Sequence, residues 1–305
     1  MNFDYHDISR AISAGAAGAV AAWEETYREN IRDTAEKIIL NRENSPVVLL
    51  AGPSGSGKTT TGIRLKETII SLGITAHLIS MDNYFRSWTE PDFPMLPNGK
   101  PDLESPECMD IPMLNEHFDV LEQGGSIAVP LYDFPTHSRA EGYLETLDAS
   151  HGDIFIFEGI HALNPKFTQR HPHAFRLYIS PEKGLELDGQ VLFTPILLRL
   201  MRRCVRDAAF RGAEPAYSLG LWSNVLEGER NYVVPYKDSA HIKFNTTLPY
   251  EPCIMKPYAM KAFSSLPQDV PCRELVDAVL KGLEAVEELP SEIVPQASIL
   301  REFIG

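Results

Sequence analysis

The stretch Val47-Val-Leu-Leu-Ala51-Gly52-Pro-Ser-Gly-Ser-Gly57-Lys58-Thr59-Thr60 decides how this chain is read. An apolar run over about residues 46 to 51 has the composition of a buried strand, and it breaks at once into glycines. The spacing G-x-x-x-x-G-K-T after it is that of a phosphate-binding loop. Its glycines let backbone N–H groups turn inward around phosphate oxygens, and the opening of the next helix adds positive potential. Lys58 reaches the β- and γ-phosphates, and the Thr59 hydroxyl ligates Mg²⁺. Gly52, Ser54, Gly55, Ser56, Gly57, Lys58, Thr59 and Thr60 are therefore the expected ATP contacts. Leu65, Ile69 and Leu72 recur at i, i+4 and i+7, which predicts a helix from about 59 to 72 that stops at Gly73.

The 305 residues, 44% hydrophobic and 23% charged, suit one large α/β domain with decorations and exclude a disordered chain or a disulfide scaffold. A formal net charge of −14 repels a polyanion, so no nucleic-acid partner is expected. Cysteines 108, 204, 253 and 272 lack the paired spacing of a zinc site or redox motif, and reduced thiols in the cytoplasm fit them. The Ala-rich run from Ala11 to Trp23 is preceded by Asp4 and Asp7 as well as Arg10, which is not the basic start of a secretion signal. No run reaches the roughly 18 apolar residues of a membrane span, so a soluble protein is expected.

Outward from the loop, a helical segment precedes it over about 8 to 41, and a second strand is expected at about 75 to 80. A long Pro-, Asp- and Asn-rich loop then extends to about 106. Next along the chain are a helix at 110 to 122, a two-stranded ribbon at 126 to 133 and 141 to 147, and strands at 153 to 157 and 175 to 179. A helix at 195 to 211, a strand at 241 to 245 and a helix at 273 to 288 complete the pattern. Such alternation predicts an α/β fold, a mostly parallel sheet with helices on both faces. The expected organisation is an N-terminal helical segment over 1–45, a P-loop domain over 46–290, and a tail over 291–305.

A phosphate-binding loop is shared by kinases, GTPases and mechanical ATPases, so carboxylates have to discriminate. Asp82, in Ser80-Met-Asp-Asn-Tyr-Phe85, and Glu158, before Gly159, each fall at the carboxyl end of a predicted strand, the side on which α/β sheets bind ligands. Asp82 is placed to accept the proton of an attacking hydroxyl near Mg²⁺, and Glu158 to hold Mg²⁺. No D-x-x-G or N-K-x-D occurs, which disfavours a regulatory GTPase. His171 and His173 read as loop residues, because no carboxylate or cysteine accompanies them along the chain.

Beyond the loop, Asp82-Asn-Tyr-Phe85, Ile156-Phe-Glu-Gly-Ile160 and above all Pro130-Leu-Tyr-Asp-Phe-Pro-Thr-His-Ser-Arg139 resemble the uridine kinase and phosphoribulokinase group of P-loop kinases. The resemblance implies Mg-ATP as donor, a small-molecule hydroxyl as acceptor and a tendency to form homo-oligomers. It places Tyr132 and His137 against a nucleoside base with Phe134 nearby, and Tyr84 and Glu104 on the acceptor side. Bottom-up, the ribbon residues make an aromatic wall plus a hydrogen-bonding imidazole. Arg199-Leu-Met-Arg-Arg203-Cys-Val-Arg206-Asp-Ala-Ala-Phe-Arg211-Gly212 resembles the group's lid helix, with Arg206 and Arg211 on the phosphates and Arg203 closer to the acceptor. With Lys58 and Asp82, Arg206 and Arg211 form the expected catalytic set, and Thr59, Asp82 and Glu158 the metal set.

The chain also departs from the group. Arg211-Gly212-Ala213 replaces R-G-R, Glu104 stands where a ribose-binding aspartate is usual, and His241 replaces an aspartate. Glu158-Gly-Ile-His-Ala-Leu-Asn-Pro165, the stretch from Trp222 to Glu229, Phe244-Asn-Thr246 and Ser298-Ile-Leu-Arg-Glu-Phe-Ile-Gly305 resemble a bacterial uridine-kinase-like subgroup whose longer members carry an N-terminal TGS region, which is not expected here. The leading expectation is a uridine- or cytidine-kinase-like enzyme. The alternatives are a sugar-phosphate or pantothenate kinase on the same fold, and a catalytically silent nucleotide-dependent module that binds RNA or a partner.

Overall fold

In a computed structural model that describes residues 2–149 and 152–305, the strand ahead of the glycine loop, Val47–Ala51, is wholly buried at the centre of a five-stranded parallel sheet. The strand order is Ile242–Asn245, Phe175–Ser180, Val47–Ala51, Ile154–Glu158 and Ala76–Ser80. Leu49 lies level with Phe157 on one side and Arg176 on the other. The near-continuous apolar runs of the three inner strands reflect cover on both faces. Side chains alternate across a strand, so Val48, Leu50, Ile154 and Ile156 enter one core while Val47, Leu49, Phe155 and Phe157 enter the other.

The first core is closed by the helices Lys58–Ser71, Glu251–Phe263 and Tyr5–Asn41, the last kinked at Gly15 (φ 154°, ψ 95°). The N-terminal helix is part of this core rather than an appendage. Its Ile31, Ala35 and Ile38 are buried with Leu65 and Ile69, and Tyr27 Oη lies 2.9 Å from Thr61 Oγ1. The expected boundary at residue 45 therefore divides one continuous core. The expected tail at 291–305 is likewise integral, with Ile299, Leu300 and Phe303 fully buried. The second core lies under the helix Ile111–Glu122.

The ribbon forms as Ser126–Asp133 paired antiparallel with Ser138–Asp148, longer than predicted, with irregular register around Pro130, which has no N–H for the ladder. A small sheet of Phe3–Asp4, Leu185–Leu187 and Gln190–Phe193 was not predicted, although Asp188-Gly189 (φ 52° and 74°) is a hairpin-turn pair. The helix Glu251–Phe263 was also missed. Pro252 sits in its first turn and Pro257 inside it, and both suppress the local helix signal, while buried Ile254, Met255, Ala259 and Phe263 hold it in the core. The last predicted helix ends early, as Arg273–Glu284.

The segment expected to form the lid, about 195–235, folds as two packed helices, Pro195–Phe210 and Pro215–Tyr232, the first close to the helix expected at 195–211. Leu198, Leu200, Met201 and Cys204 are fully buried, as is Trp222. Among the described residues no helix is long and apolar enough to cross a membrane, and all four cysteines are unpaired.

Candidate active site

The glycine loop leaves the central strand where its neighbour comes very close. A Cβ at Gly52 would stand 2.1 Å from the Ile179 carbonyl oxygen, and Gly57, the N-cap of the following helix, has φ 85°. The loop thus lays its backbone amides around the opening of a 14-residue helix, a ready anion site. Lys58 Nζ bonds back to the Pro53 carbonyl at 3.1 Å, spanning the loop. The Thr59 hydroxyl points at Glu158 Oε1, 3.3 Å away.

Lys58, Thr59, Asp82, Glu158, Arg206 and Arg211 meet in one cleft of about 140 Å³. Topology brings them together. Asp82 lies in the tight turn Met81–Tyr84 after one strand, Glu158 ends the adjacent strand, and both strands run parallel to the one that carries the loop. Burial pushes the Glu158 carboxyl up to about 7. Asp82 and Glu302 add to that rise, while Lys58 and the Thr59 hydroxyl oppose it. Asp82 is also raised, by desolvation in the cleft, against the pull of Lys58 and Arg211. Lys58 is lowered by the same desolvation, with Glu158, Asp82 and Glu302 restoring part of its charge. Asp82, Glu158 and Glu302 face Lys58, Arg206 and Arg211 across the cleft. A hydroxyl and carboxylates are hard oxygen donors, so the set fits a Mg²⁺ ion.

A second layer fixes the loop from behind. Arg202, fully buried, makes a bidentate pair with fully buried Glu251 (Nε–Oε1 2.5 Å, Nη2–Oε2 2.6 Å). The same guanidinium donates to the carbonyls of Thr246 (2.9 Å), Gly55 and Ser56 (3.4 Å each), and Thr246 Oγ1 donates to the Ser56 carbonyl at 2.8 Å. Arg199 donates to the Ser54 carbonyl at 2.8 Å and pairs with Glu229, which accepts the Ser54 N–H at 3.1 Å. With carbonyls held at its back, the loop presents amides at its front. Buried Asp207 gathers the cleft arginines: Arg206 lies 2.7 Å away, Arg203 3.5 Å and Arg211 3.7 Å, and Ser218 donates to it from the next helix. Helix Pro195–Phe210 is therefore anchored to the loop by its N-terminal arginines, and only its far end reaches over the cleft. None of Arg202, Thr246, Glu251, Glu229, Asp207 and Glu302 was picked out from the sequence as a site residue. Arg202 carried one signal, its place four residues before Arg206.

Glu104, expected on the acceptor side, points inward. A Cβ at Gly228 would fall 2.3 Å from its own, and burial pushes its carboxyl to about 7, with Glu229 and Asp102 adding and Arg203 and Lys58 opposing. Arg203 Nη1 bonds Ser54 Oγ at 2.8 Å. Tyr84 departs from the expectation of a substrate contact. It is fully buried, and its hydroxyl is 2.8 Å from His117 Nδ1, so its polar end is already occupied in the core. Tyr132 is buried between Phe85 and half-exposed Phe134, at ring separations of 5.6 and 5.1 Å. His137, at φ 51°, stacks flat on Trp88, an aromatic partner unnoticed in the sequence. Arg139 fastens the ribbon to the Asp82 turn by donating to the Tyr84 and Phe85 carbonyls at 3.4 and 3.2 Å. Phe85, three residues beyond Asp82, meets the ribbon aromatics Tyr132 and Phe134, and none of the three lines the 140 Å³ cleft itself.

His161 was also missed as a polar group of this region. It is buried and neither ring nitrogen has a hydrogen-bond partner, and burial followed by Lys58 holds its pKa down at about 3. His171 corrects another reading, since carboxylates do accompany it once the chain is folded. Asp119 and Glu122, one helical turn apart, bring oxygens to its ring, Glu122 at 3.1 Å. Ser45 and Arg170 already bond those carboxylates, so their charge is answered by the protein.

Residues 47–249 match the model of the Phosphoribulokinase / Uridine kinase family. A uridine kinase of Deinococcus deserti is 31% identical over 189 residues, 62% of this chain and 78% of its own length. A uridine kinase of Halobacterium salinarum is 31% identical over 194 residues, 63% of this chain and 76% of its own. Among solved structures, a possible uridine kinase from Bacillus stearothermophilus covers 72% of this chain and 98% of its own at 19% identity and a TM-score of 0.45.

Proposed function

The chain belongs to the Phosphoribulokinase / Uridine kinase family and is a P-loop kinase of small molecules, and on that premise we propose that it transfers the γ-phosphoryl group of Mg-ATP to the 5′-hydroxyl of a nucleoside. The observation that carries the reading is the meeting of Lys58, Thr59, Asp82, Glu158, Arg206 and Arg211 in one cleft. Lys58 and the loop amides neutralise and align the β- and γ-phosphates. Asp82 takes the hydroxyl proton as the acceptor oxygen bonds to the γ-phosphorus and the bond to the β-phosphate oxygen breaks, releasing ADP. Arg206 and Arg211 face the charge that spreads over the transferring group. Thr59, Asp82 and Glu158 are the residues to hold Mg²⁺, which neutralises phosphoryl oxygens when bound. The free thiols agree with a reducing cytoplasm.

For the acceptor, support comes from the Phe85, Tyr132 and Phe134 cluster beside the Asp82 turn, whose rings meet at inclined angles, and from the flat stack of His137 on Trp88 in the same ribbon region. Uridine and cytidine are first in line. Ala213 and Glu104 alter the base and sugar sides, so purine nucleosides remain candidates. The test is an ATP-consumption screen over nucleosides, pantothenate and sugar phosphates, followed by His137→Ala on the best acceptor. Turnover of a sugar phosphate but of no nucleoside, or an unchanged kcat/KM in His137→Ala, refutes the nucleoside pocket.

A further inference from the structure

The last residues of the sequence press against the loop. Ile299 fills the space that a side chain at Gly57 would need, a Cβ there lying 2.2 Å from its Cδ1. Phe303 lies under the Arg202 guanidinium at 5.2 Å, and Leu300 is fully buried. Together these anchors aim Glu302 at the first turn of the helix Lys58–Ser71. Its Oε2 accepts from Thr60 Oγ1 at 2.7 Å and from the Thr60 N–H at 3.4 Å, and its Oε1 is 3.9 Å from Arg206 Nη1.

Those donors are the ones a loop of this kind offers to the α- and β-phosphates of a nucleotide. A carboxylate there has what the site selects for: a negative charge at a helix N-terminus and two acceptor oxygens. A phosphate group and Glu302 cannot share Thr60, because two anions within about 3 Å repel strongly in a desolvated cleft. The space left beside Glu302 agrees. At about 140 Å³ it is smaller than the roughly 300 Å³ at which small-molecule sites begin.

We propose that Glu302 is a built-in competitor for the α-phosphate of the donor, seated on Thr60 when the site is empty and displaced when nucleotide binds. The 298–305 segment then sets donor affinity, and it weakens every nucleotide that carries an α-phosphate by the same factor. The proposal rests on the donor-site reading above, and its test separates the two.

The experiment is calorimetric titration of Mg-ADP and Mg-ATP into the full chain as wild type, Glu302→Gln and the exposed-acid control Glu292→Gln. Glu302→Gln is expected to tighten both nucleotides about tenfold, the equivalent of one charge-assisted hydrogen bond. The control should match wild type. If Glu302→Gln does not fold, Glu302→Asp withdraws the carboxylate from Thr60 by one methylene and should tighten both nucleotides in the same direction. Affinities within twofold of wild type, weaker binding, or a change for ATP alone overturns the proposal while leaving the donor site standing. No nucleotide binding by any of the proteins overturns both.

Discussion

Glu251→Gln tests the second layer behind the glycine loop. The substitution keeps the side chain's shape but removes the carboxylate paired with Arg202, and both residues are fully buried. Removing one partner of a buried pair leaves a charge without compensation, which costs about 3–5 kcal/mol. Against a total stability of about 5–15 kcal/mol that is a large share. At about 2–4 °C per kcal/mol for a chain approaching this size, the melting temperature is expected to fall by on the order of 10 °C. ATP binding should weaken as well, because the same guanidinium holds the Gly55 and Ser56 carbonyls. The internal control is Glu67→Gln, which breaks the more exposed pair with Arg64 and should cost less than about 1 kcal/mol. A double replacement, Arg202→Met with Glu251→Leu, is expected to recover much of the stability without recovering ATP affinity. Thermal melts and nucleotide titrations read all four proteins. A fall of less than about 2 °C in Glu251→Gln refutes the reasoning, as does full recovery of ATP affinity in the double variant.

Lys58→Ala is expected to abolish phosphoryl transfer with the circular dichroism spectrum unchanged, and transfer at the wild-type rate would remove Lys58 from the mechanism. Asp82→Asn should lower kcat by at least about a hundredfold while changing ATP affinity little, since general-base catalysis is worth about 10² to 10⁴; a kcat within twofold of wild type refutes the assignment. His161 is held neutral down to about pH 3, whereas an unfolded histidine protonates near 6.5. The unfolded chain then binds the extra proton, so stability is lost as pH falls from about 6.5 toward 3. His161→Leu is expected to flatten that part of a urea-midpoint profile, and identical slopes would show that His161 does not drive it.

The local parts of the site were legible because each is a short string with its own physics. The loop Gly52 to Thr59 needs glycines, a lysine and a hydroxyl at fixed spacing, and Asp82 and Glu158 stand out as the carboxylates at the ends of apolar strands. In the fold Asp82 lies in the turn after one strand and Glu158 ends the next, and both line the cleft with Lys58. Tyr84 was misjudged for the same reason that Asp82 was found. Both belong to one string, yet in the turn Met81–Tyr84 the aspartate faces the cleft while the tyrosine meets His117 in the core.

By itself, then, the sequence determined the α/β alternation, the phosphate-binding loop and the carboxylates at strand ends, because these depend on hydrophobic period and on motif spacing within a few residues. Only the tertiary structure decided that Arg199 and Arg202 tie the helix Pro195–Phe210 to the loop, that Thr246 and Glu251 brace it there, and that Glu302 rests on Thr60. The contacts that decide this join residues 49 and 242 positions apart. No local periodicity records such a pairing. It arises when helices buried for their apolar faces bring their remaining charged groups against the loop, where a buried charge must find a partner.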